Sequence, residues 1–74
     1  MSVILSYRFG KELKSARVEP IYYDAERHRW CACARDTLVA AEGDTIQSAL
    51  DKLAFNLMEK DFNALKARML EPTP

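Results

Sequence analysis

The sequence predicts an α+β fold: a small antiparallel sheet of three to four strands packed by one long C-terminal helix. Three observations predict it. Apolar and polar residues alternate in short runs as far as Glu42, apolar residues recur with a helical period after Thr45, and Gly43-Asp44 stands at the change. The first run is Val3–Phe9, with Val3, Leu5, Tyr7 and Phe9 on one face and Ile4, Ser6 and Arg8 on the other. Gly10 ends it. Residues 11–16 (KELKSA) are polar and fit either a turn or a single helical turn. Residues 17–23 (RVEPIYY) read as a second strand, which must lie at an edge or carry a bulge because Pro20 has no donor for the ladder. Asp24-Ala25-Glu26-Arg27 is a polar turn, as in a hairpin. Residues 28–35 (HRWCACAR) form a third strand, with Trp30, Ala32 and Ala34 on one face and Arg29, Cys31, Cys33 and Arg35 on the other. Residues 38–42 make a short fourth strand.

The helix opens at Thr45, a good N-cap, or at Asp44, which has Gln47 three residues on as in a capping box. It closes at Leu70-Glu71, ahead of Pro72, with Lys66 and Arg68 near its end, where cations suit the dipole. At about 100° per residue, Ile46, Leu50, Leu53 and Leu57 fall within roughly 60° of one another. Met58, Phe62, Leu65 and Met69 form a second cluster, turned by roughly 120° from the first. Beyond Leu57 the first face carries Lys60, Asp61 and Arg68. Either the helix breaks near Lys60-Asp61, with Asp61 capping a second segment, or it is continuous and its second half packs on something other than the sheet. An unbroken helix would run about 37 Å and outreach a strand of about 23 Å. Phe55, Met58, Phe62, Leu65 and Met69 follow the 3-4-3-4 spacing of a helix-on-helix seam, so these five are the expected dimer interface. Residues 1–71 are thus one domain, and 72–74 (PTP) a frayed tail.

Seventy-four residues with 49% hydrophobic and 30% charged side chains suit one small folded domain. Ordering costs about 1.5 kcal/mol per residue, which so small a core offsets only narrowly, and oligomerisation is a common remedy. Eleven basic residues balance eleven acidic ones, so no field for nonspecific nucleic-acid or membrane binding is expected. No apolar run is long enough to suggest a membrane span or a secretory signal. Two cysteines are too few for a disulfide scaffold, which favours a reducing, cytoplasmic setting.

Candidate chemistry is sparse. His28, Cys31 and Cys33 lie close in sequence, but a closed zinc site lacks its fourth ligand, and on a strand His28 points away from both sulfurs. His28 is the only histidine, and nothing places a nucleophile and an orienting carboxylate beside it, so no catalytic residue is expected. Asp24, Glu26, Asp36, Glu42 and Asp44 sit where turns favour acids. The two glycines are too far apart for a phosphate loop, and no cofactor is expected. Arg27, Arg29 and Arg35 are the candidate partner-binding residues, because arginine is enriched at protein interfaces.

Residues 19–59 resemble the N-terminal module of HicB-like antitoxins. The parts that carry the resemblance read EPIYY, WCACARD, LVAAE and GDTIQSALDKLAFNLME, with Gly43-Asp44-Thr45 followed by Ile46, Ala49, Leu50 and Leu53 as the nearest match. The resemblance implies a partial ribonuclease-H-like sheet with helix packing, no inherited catalysis, and a module that masks a small toxin ribonuclease and often dimerises. Val3–Phe9 is extra to that pattern, pairing beside its strands or exchanging between protomers. The expectation is therefore a non-enzymatic, homodimeric protein–protein interaction module of a small bacterial or prophage protein. The alternatives are a phage or prophage-type inhibitor of a host enzyme, and a weak nucleic-acid binder using Arg27, Arg29 and Arg35.

Overall fold

The computed structural model describes residues 3–69. Four strands, β1 (Val3–Phe9), β2 (Glu12–Asp24), β3 (Arg29–Ala34) and β4 (Val39–Gly43), form one antiparallel meander in the order β1-β2-β3-β4. A single helix, α1 (Ile46–Met69), crosses one face. This is the α+β architecture expected from the patterning. The expected helix end at Leu70-Glu71 and the tail at 72–74 lie outside the described residues.

Each turn is set by a residue suited to it. Gly10, at φ 63°, opens the two-residue β1–β2 turn, where the left-handed region is needed. Asp24 Oδ1 accepts from the backbone N–H of Glu26 and Arg27 at 3.0 and 3.3 Å, winding the β2–β3 turn, which closes through His28 at φ 56°. Thr37 and Leu38 N–H both return to the Ala34 carbonyl, leaving Leu38 at φ 59° and 82% exposed.

One local reading is corrected. Lys11 completes the β1–β2 turn, but residues 12–16 are neither a turn nor a helical turn. They begin β2, which pairs along its first half with β1 through Ala16↔Leu5 and Lys14↔Tyr7. Val3–Phe9 therefore pairs beside the other strands within the chain. β2 is an interior strand, and it accommodates Pro20 by a bulge: the four residues from Val18 to Ile21 oppose the three from Ala34 to Ala32. The extra residue brings Val18 and Ile21 to the same face, and both are buried.

The core is small and rich in alanine: Val18, Ile21, Ala32, Ala34, Ala41, Ala49, Leu53 and Leu57. The alanines of β3 and β4 let α1 come close. Gly43 marks the closest approach, since a Cβ there would stand 2.5 Å from the Ala49 nitrogen and 2.7 Å from Ser48 Oγ. Its φ is not in the left-handed region, so this glycine is required by proximity rather than by a turn. Thr45 caps the helix, its Oγ1 accepting from Ser48 N–H at 3.0 Å. Gln47, the other half of the alternative box with Asp44, donates to Asp51 instead. Asn56 donates to the Ala40 carbonyl at 3.2 Å and so guards the β4 margin, whereas β1, at the other margin, pairs only with β2 among the described residues.

Candidate interaction surfaces

α1 is continuous from Ile46 to Met69, with no break at Lys60-Asp61. Twenty-four residues span about 36 Å, more than the sheet can cover, and the chain measures 52 × 24 × 17 Å. Ala49, Leu53 and Leu57 are buried; past Leu57, Asp61 is the only half-buried position among the described residues. Asp61 does not cap a second helix. Its Oδ2 accepts from the Tyr7 hydroxyl at 3.1 Å and from Lys14 Nζ at 3.2 Å, both reaching up from paired positions on β1 and β2. Burial, followed by the hydrogen bond to Asp61 and its charge, pushes the Tyr7 hydroxyl above its usual pKa.

The five residues of the expected seam remain open on the single chain. Phe55 is 64% exposed, Met58 38%, Phe62 56%, Leu65 39% and Met69 76%. They are not sealed beneath the strands that hold Leu50 and Leu53. Phe55, Met58, Glu59 and Phe62 join Phe9, at the end of β1, around a shallow groove of about 280 Å³. Phe62, Leu65, Lys66 and Met69 line another of about 260 Å³.

No element covers the second face of the sheet among the described residues. Ile4, Arg8, Leu13, Arg17, Tyr22 and Arg29 stand on it, and the first, third and fifth of these are more than half exposed. The three candidate arginines do not form one cluster. Arg27 and Arg29 sit at the turn end of β3 and Arg35 just beyond the other end. Arg27 Nη1 lies 2.9 Å from Glu42 and Arg27 Nε 3.9 Å from Asp24. Glu42, by hydrogen bond and charge, and then Asp24 push the Arg27 guanidinium up. Glu42 Oε2 is buried without a hydrogen-bond partner among the described residues. Arg35 is paired with Glu19 at 3.1 Å, while Arg29 makes no ion pair among the described residues.

Trp30 lies on the helix side, its ring edge-on to Tyr23 with centroids 5.4 Å apart. Cys31 and Cys33 are free thiols, half-buried on the opposite face. Cys31, by hydrogen bond and charge, pushes the Tyr22 phenol up. His28 Nδ1 lies 3.5 Å from the Tyr23 hydroxyl on the exposed β2–β3 turn. No three His, Cys, Asp or Glu side chains converge as a metal site among the described residues. No described helix is long and apolar enough to cross a membrane.

Sequence reasoning missed Asp61 as an anchor and Leu38 as an exposed apolar tip. Asp61 had left a signal, since it extends the buried face of α1 past Leu57 while Tyr7 belongs to the helix-facing alternation of β1. Leu38 left none. No family model, no curated protein and no solved structure matches this chain.

Proposed function

We propose that the protein is a non-enzymatic protein–protein interaction module, antitoxin-like, that binds and masks another protein and associates with itself through α1. The observation that carries this is the row of large apolar side chains on α1, from Phe55 to Met69, that nothing within the described chain covers. Contiguous exposed apolar surface of this kind marks an interaction site on a small folded protein. The open sheet face is the surface for the other protein. There Tyr22 and the unpaired Arg29 supply the residue types that dominate interface energetics, and Arg27 and Arg35 stand at its borders in ion pairs. The resemblance of residues 19–59 to HicB-like antitoxins supports the same reading. In the cytoplasm of a bacterium or prophage host, Cys31 and Cys33 would stay reduced.

Affinity capture from bacterial lysate by the wild-type chain, compared with Arg29→Glu and Tyr22→Ala, tests it. The expected result is one protein retained in stoichiometric amount by the wild type and lost with either variant. Equal recovery with all three, or none with any, sinks the masking role. A small captured ribonuclease favours the antitoxin-like form, and a large host complex the inhibitor form.

A further inference from the structure

We propose that the apolar stripe of α1 is covered by the same stripe of a second copy of this chain, running antiparallel, with Glu59 of each helix beside the partner's Lys66. The inference rests on the self-association reading above and adds a direction and a register to it.

The charges beside the stripe carry the argument. In heptad terms Phe55, Phe62 and Met69 occupy one seam position and Met58 and Leu65 the other. Glu59 and Lys66 then form one flank, Asp61 and Arg68 the other, each with an acid in the first heptad and a base in the second. When two such helices run antiparallel, like flanks meet in reverse order. Glu59 then faces the partner's Lys66, twice by symmetry, and Asp61 lies towards the partner's Arg68. When they run parallel, unlike flanks meet, and the acid opposite a base is Asp61 alone. Asp61 is already occupied within its own chain by Tyr7 and Lys14. Glu59 and Lys66 are exposed and make no ion pair among the described residues.

The shape of the stripe agrees with that direction. Placing Phe62 over the partner's Leu65 brings Met58 over the partner's Met69. Met69, the most exposed of the five, then enters the groove lined by Phe9, Phe55, Met58 and Phe62. The two-fold axis fills the equivalent groove of the other copy at the same time, so the contact is closed and stops at two chains. Five side chains per copy put the interface at the low end of specific contacts, where a dissociation constant of about micromolar order is expected.

Sedimentation equilibrium on the full chain tests this, with circular dichroism to verify that each variant is folded. The wild type is expected to reach twice the chain mass at high micromolar concentration, and Phe62→Glu to stay monomeric. Glu59→Lys and Lys66→Glu should each weaken self-association by about tenfold, because two attractive contacts become repulsive. An equimolar mixture of these two variants should regain the wild-type affinity, since every facing pair is then opposite in sign. If both charge variants associate like the wild type while Phe62→Glu does not, the stripe survives as an interface and the antiparallel register is overturned. If the wild type remains monomeric throughout, self-association falls, and this inference with it.

Discussion

The two halves of α1 have similar apolar content and opposite surroundings. From Ile46 to Leu57 the helix lies on β3 and β4 so closely that Gly43 has no room for a side chain. From Met58 to Met69 it runs out past the sheet, and among the described residues its polar tie back to the strands is Asp61, bonded to Tyr7 and Lys14. Ile46, Leu50, Leu53 and Leu57 of the first half point down at alanines; Phe55 and the apolar residues of the second half are turned away by roughly a third of a circle. Burial in this protein is therefore decided by reach. The strands run out before the helix does, and the pattern of apolar residues turns where the support ends.

The sharpest way to break that contrast is at Leu53, fully buried at the centre of the first half. Leu53→Ala should destabilise the fold by about 3 kcal/mol in urea unfolding, the ordinary cost of a large-to-small change in a closed core. A loss under about 1 kcal/mol would mean the helix packs far more loosely than its contacts imply. Gly43→Ala should cost about 2 kcal/mol, because the new methyl meets backbone at Ala49 rather than a side chain that can swing away. Asp61→Ala should cost about 1 kcal/mol and speed amide exchange selectively beyond Leu57, as the second half loses its tie to the sheet.

A pH titration sharpens the same point. Tyr7 has its hydroxyl pushed above the usual value near 10 by burial and then by Asp61, so the unfolded chain releases this proton first. The stabilisation is complete below about pH 10 and is lost as pH rises through the folded value. Alkaline unfolding of the wild type should therefore steepen above that point, and less so in Tyr7→Phe. The smallest effect is expected at Phe62. In dilute solution Phe62→Ala should change stability by no more than about 0.5 kcal/mol, since its ring lies mostly in solvent on the single chain.

The alternation of Val3–Phe9 and of Trp30, Ala32 and Ala34 was legible in the sequence because each strand has one covered face. So was the cap at Thr45, whose hydroxyl acts on its own neighbours. The turn of the apolar face at Leu57 could be read too, since helical period is a local property. Residues 12–16 could not be read, because β2 there has solvent on its outer face and half-buried Lys14 on its inner one, which leaves little contrast to detect. The sequence leaves Asp61 as a cap in one of two alternatives, because its real partners lie 54 and 47 residues away. The steric role of Gly43 depends on an interatomic distance that no pattern of residue types encodes. Of the candidate sites, the α1 stripe followed from spacing alone, whereas the ion pairs that occupy Arg27 and Arg35 emerged only with the strand register.

The sheet's unequal margins carry one more consequence. Asn56 and the neighbouring helix obstruct β4, whereas the backbone of β1 offers seven residues along which an incoming strand could be accommodated. A chain joined to another there would present only blocked ends to the next arrival, so stacking of this kind would be self-terminating and would not run on into fibrils.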